Sequence, residues 1–319
     1  MPKLPARAAP VTPPALKDAL TSAAGYAAEE KAAATRRAYR SDWRAFETWC
    51  RRANTCPLPA SAAAVAAYLA HVADAGLRAS TISRKLAAIS YAHKLKGIDP
   101  PTASEAVRAV LRGIRRRVGV APARKAPATA LAIAAMLEHV PDTLIGRRDR
   151  AILLIGFAAA LRRSELAGLQ VSDLERHADG LIVHIRRSKT DQEGAGAQIP
   201  VPRGGRLRPV DALDAWLAAA EITAGPVFVS IGKGARVSRK ALSCKAVGGI
   251  VKRYAAAAGY DPKAFAGHSL RAGFVTSALE HGADIFRVMD VTRHRRVETL
   301  KGYDRRAKAF RNHAGDGFL

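Results

Sequence analysis

The 319-residue chain is long enough for about two domains, and hydrophobic residues make up 49% of it, which can supply a sizeable core. Its 52 Lys and Arg against 27 Asp and Glu give a formal charge of +25, which favours a polyanionic partner, nucleic acid before a membrane surface. The longest apolar run is far shorter than the roughly 20 residues of a membrane span. With no signal-peptide pattern and three cysteines without metal-ligand spacing, we expect a cytoplasmic protein without disulfides, metal or membrane contact.

Residues 1–27 carry five prolines among alanines. This composition predicts a flexible arm, because it buries too little apolar area to offset the entropy of ordering. Residues 28–118 are predicted to form a helical domain. Four residues in it recur at three- and four-residue steps and therefore share one helix face: Tyr39, Trp43, Phe46 and Cys50.

Three further helices are predicted in this domain, beginning near Ser61, near Thr81 and near Ser104. Basic residues are expected on the outer faces of the helices, including Arg84 and Lys85 on the third of the four. Such side chains suit contacts to DNA phosphates. The candidate DNA-binding residues are Arg36, Arg40, Arg84, Lys85, Arg112, Arg115 and Arg116.

Residues 119–129 mix proline with charge, lack apolar periodicity and are predicted to be a linker. A short helix is expected over residues 131–139 and a longer one over 147–166, whose apolar centre places it in the core. Residues 181–185 and 198–202 are predicted to form two strands around a Gly-rich turn. The remainder is predicted to be mostly helical.

Six residues could together cleave a phosphodiester. Cleavage without metal requires a nucleophile, a proton donor for the leaving oxygen, and fixed positive charge around the phosphate. Arginine suits the last task, because its planar fork makes paired hydrogen bonds to phosphate and stays charged. The chain has few acids and no acidic cluster for the metal-dependent alternative. The six candidates are Arg162, Lys189, His268, Arg271, His294 and Tyr303.

The local spacing supports some of these assignments. His268 and Arg271 are three residues apart, which puts both on one helix face. Glu165, three residues after Arg162, is expected to orient that guanidinium through an ion pair. Each candidate alone is more simply a surface or packing residue, and Lys189 in a hairpin turn is an ordinary lysine position. Only the order and spacing of the whole set indicate catalysis.

These motifs resemble those of the tyrosine recombinases, also called the phage integrase family. That family shows an Arg in Gly-Leu-Arg-x-Ser-Glu-Leu, and this chain has Ala160-Leu-Arg-Arg-Ser-Glu-Leu166. A lysine between two strands, a His-x-Leu-Arg box, a His or Trp, and a tyrosine about nine residues later follow in the family's order. The helical domain resembles the family's core-binding domain, and the pattern is closer to Cre-like members than to integrases with an extra arm-binding domain.

The resemblance implies a mostly α-helical fold. A helical, SAM-like core-binding domain over residues 28–118 would precede an α+β catalytic domain with a small antiparallel sheet over residues 130–319. It also implies that Tyr303 attacks a phosphate and forms a 3′-phosphotyrosine. Arg162, Arg271 and His294 would hold the phosphate oxygens, His268 would assist proton transfer, and Lys189 would protonate the leaving 5′ oxygen.

The expected partner is double-stranded DNA. The chain would be a monomer in free solution and a homotetramer on paired sites, acting in the cytoplasm on the bacterial nucleoid. No cofactor is expected, because the covalent link keeps the energy of the phosphodiester.

Two departures from the family pattern stand out. Thr292-Arg-His294 replaces the common Leu-Gly-His, and Ala160 replaces a Gly. Neither removes a functional group. Three other functions remain open from the residues alone: a type IB topoisomerase, a DNA-binding relative without catalysis, and a metal-dependent nuclease.

Overall fold

The computed structural model describes residues 14–121, 125–186, 196–300 and 302. The chain divides into two units, Met1–Ala123 and Arg124–Leu319. Each unit has its own hydrophobic core. Over the described ranges, no helix is long and apolar enough to cross a membrane.

The first unit is helical. Phe46 and Cys50 of the predicted apolar face are fully buried. The side-chain oxygens of Ser61 and Ser104 accept hydrogen bonds from backbone N–H groups three residues later, so both serines cap helices. The predicted helices of this unit are confirmed. Its helices are α1 Pro14–Glu29, α2 Ala33–Arg52, α3 Ala62–Asp74, α4 Ala79–Leu95 and α5 Glu105–Val118.

Within the arm predicted to be flexible over residues 1–27, the chain is helical from Pro14 onward, as helix α1. Six of the 16 residues of α1 are alanine, the residue with the highest helix propensity. Pro14 stands at its first position, where the missing N–H costs nothing. The Ala content therefore outweighs the Pro content once the last proline of the arm has passed. Residues 1–13 lie outside the described part.

The expectation that Lys85 points outward is wrong. Lys85 is 9% exposed, and its Nζ lies 3.3 Å from Oδ1 of the buried Asp42 and 5.9 Å from the centre of the Tyr68 ring. Arg84 donates to Asp42 through Nε at 2.7 Å. A buried carboxylate needs paired cations. The partner lies on another helix, so the local pattern of α4 could not reveal it.

The second unit contains both helices and strands. A three-stranded antiparallel sheet has the order β1-β2-β3, and a separate antiparallel pair joins β4 and β5. The helices are α6 Ala130–Glu138, α7 Leu144–Ala158, α8 Arg163–Gly168, α9 Pro209–Ala219, α10 Cys244–Ala257, α11 Ser269–Glu280 and α12 Ile285–Thr292. The strands are β1 Leu174–His177, β2 Gly180–Ile185, β3 Ala197–Pro202, β4 Val229–Ile231 and β5 Val237–Ala241.

The two predicted strands are confirmed as β2 and β3. Val183 opposes Ile199 in the register, and both side chains are fully buried, so this pair fixes which face of the sheet meets the core. The other strands were not predicted. β1 is largely exposed and shows no alternation of buried and exposed residues, which removes the sequence signal for a strand.

The helix predicted over residues 147–166 is wrong in its length. α7 ends at Ala158 and α8 begins at Arg163. Between them Ala160 adopts a left-handed backbone with φ of 46°. α7 is buried nearly all round, so its periodicity could not show an end. The turn residue is Ala rather than Gly, so the sequence lacks the glycine that commonly marks the end of a helix.

Part of the predicted linker is bound to the second unit. The backbone N–H of Ala126 donates to Ala264 O at 2.8 Å, and that of Ala128 donates to Ser269 O at 2.9 Å. Ala128 is fully buried. The segment crosses Gly273 of α11 so closely that a Cβ at Gly273 would lie 1.7 Å from Ala128 O. Residues 126–128 therefore form a strap on the second unit.

We expect Gly273→Ala to destabilise the fold by about 2 kcal/mol or more, because the new methyl group must displace backbone. Gly249, in α10, is the matched control. It is an exposed helical glycine with no atom within 4 Å of a Cβ, so Gly249→Ala should stabilise by up to about 1 kcal/mol. Urea unfolding followed by circular dichroism measures both. A neutral Gly273→Ala would contradict the close strap.

Candidate active site

Arg162 stands at the N-cap of α8 and is held by Glu165. Its Nη1 donates to Glu165 Oε1 at 2.8 Å, and its backbone N–H donates to Oε2 at 2.8 Å. The expected ion pair is therefore present, and it also caps the helix. Burial raises the pKa of Glu165, but hydrogen bonds and charge from Arg293 and Arg162 outweigh it, and the net pKa is lowered. Glu165 stays ionised and keeps Arg162 in place.

Arg271, on α11, is 1% exposed. Its Nη1 donates to Ala160 O at 2.8 Å, and its Nη2 donates to Thr292 O. The first carbonyl belongs to the left-handed turn that precedes Arg162, and the second to the last residue of α12, which precedes His294. One buried guanidinium therefore connects the segments that carry two other candidate residues.

His268 directly precedes α11, and its ring is exposed. It has helical backbone angles, so it continues the helical path that carries Arg271.

His294 is half-buried, and its ring is fixed by Thr292. Thr292 Oγ1 lies 2.6 Å from Val288 O and 2.8 Å from His294 Nδ1. A carbonyl only accepts hydrogen bonds, so it takes the single hydroxyl proton. Nδ1 must then carry the ring hydrogen and donate to Oγ1. When the ring is neutral, Nε2 presents its lone pair.

The electrostatics of His294 show which residues surround it. Burial lowers its pKa, and the charges of Arg271, Arg162, His268 and Arg293 lower it further, to about 4. These four residues therefore act on one imidazole, and the structure brings four of the six catalytic candidates together. The other two, Lys189 and Tyr303, lie outside the described residues.

A small cavity lies between Glu165, the partner of Arg162, and the end of β2. It has a volume of about 200 Å³ and lies among Glu165, Asp173, His184 and Arg186, with other residues of α8 and the end of β2 in its wall. Arg186 pairs with the buried Asp173, with 2.6 Å between Nε and Oδ1. The chain thus leaves β2 beside Glu165, and Lys189 follows the last residue of β2 by four positions in the sequence.

Arg293 was missed by the sequence reasoning. Its Nη2 donates to Glu165 Oε2 at 2.8 Å, although the two residues are 128 positions apart. The departure Thr292-Arg-His294 was the available signal, because it placed a cation next to a candidate residue.

The candidate DNA-binding residues lie in the first unit. Most are exposed, but several have protein partners: Arg84 pairs with Asp42, Arg112 with Glu105, and Arg115 donates to Ser83 Oγ at 3.1 Å. Buried Lys85 is bound by Asp42 and does not suit phosphate contact. For the others, DNA binding stays a prediction. They are Arg36, Arg40, Arg84, Arg112, Arg115 and Arg116.

Two known protein families match parts of this chain. The family described as "Phage integrase family" matches residues 129–309, and the one described as "Phage integrase, N-terminal SAM-like domain" matches residues 25–96. The chain belongs to the phage integrase family. The resemblance inferred from the motifs, and with it the fold class, is confirmed: this is a tyrosine recombinase of the site-specific type.

Relatives extend over most of the chain. A protein named "Integrase/recombinase xerD homolog" from Selenomonas ruminantium is 37% identical over 294 residues, covering 90% of this chain and 85% of that protein. "Recombinase cre" of Escherichia phage P1 is 27% identical over 282 residues, covering 82% of this chain and 81% of that protein. Among solved structures, a lambda integrase fragment (residues 75–356 in its own numbering) shares the fold with a TM-score of 0.60 and 19% identity, covering 88% of this chain and 91% of that one.

We expect His294 to titrate near pH 4 in the DNA-free recombinase. An unfolded histidine titrates near its ordinary pKa of about 6.5. Between these values the unfolded state binds a proton that the folded state excludes, so stability should fall as pH falls from 6.5 to 4. NMR titration of the histidine rings, with His294→Gln to assign the signal, measures the pKa. A value near 6.5 would contradict both the burial of the ring and the cations around it.

Proposed function

We propose that this recombinase cuts and rejoins double-stranded DNA through a 3′-phosphotyrosine on Tyr303, without metal or ATP. The observation that carries the proposal is that Glu165 fixes Arg162, and that Arg271 contacts both the turn before Arg162 and the residue two positions before His294. Both guanidiniums are fixed by protein contacts and would bind the same phosphate. Fixed charge of this kind stabilises the transition state without reorganisation during the reaction.

Phosphate binding is assigned to Arg162 and Arg271. Glu165 orients the first, and the carbonyls of Ala160 and Thr292 orient the second. In the pentacoordinate transition state the non-bridging oxygens gain charge, and both guanidiniums are permanently charged donors for them.

Proton transfer is assigned to His268 and Lys189. The tyrosine hydroxyl has an ordinary pKa near 10 and must lose its proton as it attacks. Exposed His268 would receive that proton. His294 completes the phosphate site, and its Nε2 can accept a proton or a hydrogen bond. Lys189, four residues after the last residue of β2, would protonate the 5′ oxygen as it leaves.

The charge of +25 supports DNA as the partner, and the exposed arginines of the first unit would contact its phosphates. The solved structures with related folds include a lambda integrase dimer bound to a core site and a XerH recombinase bound to a palindromic difH substrate. For this chain we propose a homotetramer on paired sites, formed from monomers in the cytoplasm. The first unit would be the core-binding domain, over residues 28–118, and the second the catalytic domain, over residues 130–319.

The central test is covalent trapping on nicked suicide duplexes drawn from the DNA that flanks the gene, in EDTA. We expect a protein–DNA adduct that survives denaturation with the natural chain and is lost with Tyr303→Phe, because only the tyrosine oxygen can form the link.

Tyr303→Phe must retain DNA binding for this comparison to hold. DNA binding without an adduct, on flanking DNA and on random-sequence duplexes, would overturn the proposed activity in favour of a binding protein. Relaxation of supercoiled DNA without site preference would instead indicate topoisomerase behaviour.

The role of Lys189 is tested with a scissile bond whose 5′ oxygen is replaced by sulfur. A thiolate leaves without protonation, so Lys189→Ala should cleave the sulfur substrate at nearly the natural rate while losing about 100-fold or more on ordinary DNA. Arg162→Ala is the control, since it removes phosphate stabilisation and should be slow on both substrates. Equal losses for Lys189→Ala on both substrates would reject a general acid.

A further inference from the structure

Arg293 occupies a backbone conformation that does not suit arginine. It caps α12 at its C-terminal end with φ of 56° and ψ of 41°, in the left-handed region that favours glycine or asparagine. A side chain there costs on the order of 1 kcal/mol. The common family motif has Gly at this position. The contacts of the side chain must therefore offset the strain.

The guanidinium of Arg293 is buried, with 12% of the side chain exposed. Its Nη2 donates to Glu165 Oε2 at 2.8 Å, whereas Nε and Nη1 have no hydrogen-bond partner among the described residues. Buried donors without partners are unfavourable. The contact with Glu165 is thus the interaction that explains why this side chain points inward.

Glu165 is shared by two arginines. Oε1 accepts from Arg162 Nη1, and Oε2 accepts from the Arg162 backbone N–H and from Arg293 Nη2. Through this carboxylate the turn before His294 is tied to the start of α8, where Arg162 stands. Glu165 therefore joins two segments that are far apart in the sequence.

The sharing also changes the local charge. Arg162 and Glu165 alone would form a neutral pair, and their attraction would compete with the attraction of Arg162 for phosphate. With Arg293 on the same carboxylate, the group of three carries one net positive charge in a partly buried site, where charge is poorly screened.

We infer that Arg293 is a positioning residue for DNA cleavage: by holding Glu165 it fixes Arg162 relative to His294 and leaves the charge of Arg162 available to the scissile phosphate. This inference rests on the proposed function. Arg293 acts through Glu165 and is not assigned a contact with DNA.

The test compares Arg293→Gly with Arg293→Lys. Glycine suits φ of 56°, so Arg293→Gly should fold with unchanged or higher thermal stability. We expect its single-turnover cleavage rate at saturating DNA to fall about tenfold or more, as when an outer residue that orients a functional ligand is lost. Arg293→Lys keeps the charge and should recover part of the rate. The exposed Arg295, changed to Gln, is the matched control for charge alone and should alter the rate less than twofold.

A double-mutant cycle identifies the route of the effect. If Arg293 acts through Glu165, Arg293→Gly should cost little further rate in a Glu165→Gln background. A readout independent of activity is the pKa of His294, which should rise in Arg293→Gly because one of the cations around the ring is lost. The other charged groups that act on the ring are Arg162, His268 and Arg271, and all three are still present in this variant.

Cleavage by Arg293→Gly at the natural rate, with the adduct still dependent on Tyr303, would overturn the positioning role alone. Additive losses in the cycle would overturn the route through Glu165. If the natural chain forms no Tyr303-dependent adduct, the proposed function fails, and this inference fails with it.

Discussion

The buried guanidinium of Arg271 is the interaction on which the active site depends. Removing a charge from water costs several kcal/mol, and this one is stabilised by the carbonyls of Ala160 and Thr292. Those carbonyls belong to the two segments that present Arg162 and His294. The residue that would bind phosphate is thus also the residue that assembles its neighbours. A substitution of Arg271 would disturb the architecture and the chemistry together, which makes it a poor probe of either.

Much of the fold could be predicted because it follows local periodicity. The helix face that carries Phe46 and Cys50 could be predicted, and so could the β2–β3 pair. In both cases the spacing of apolar residues shows which side of the element meets the core. The predictions were wrong where a partner distant in the sequence, or a turn without its usual glycine, decides the local structure. Lys85 is inside because Asp42, on another helix, requires a cation. The end of α7 was missed because its burial is nearly uniform and Ala160 takes a conformation that usually signals itself through Gly.

The candidate site also has features that the sequence predicts and features that only the fold determines. The motifs supplied the residue types and their order, since phosphate chemistry needs those groups whatever the packing. They could not show that Thr292 contacts the His294 ring or that Arg293 reaches Glu165, because such contacts depend on how α8 and α12 approach each other. Both departures from the Leu-Gly-His pattern lie in this network, so the differences between this chain and its family carry structural information of their own.

The cation cluster has a further consequence for how protons and DNA are coupled. Burial lowers the pKa of His294, and the charges of Arg271, Arg162, His268 and Arg293 lower it further to about 4, so the ring is neutral near pH 7. A phosphodiester placed among the same arginines would offset their charge, and the proton affinity of the ring would rise. By linkage, protonation of His294 and binding of the phosphate must then favour each other. Under the proposed function, phosphate binding would therefore also set the protonation state of the His294 ring. With a phosphodiester beside it, the ring would move toward the protonated form, which can donate a hydrogen bond from Nε2.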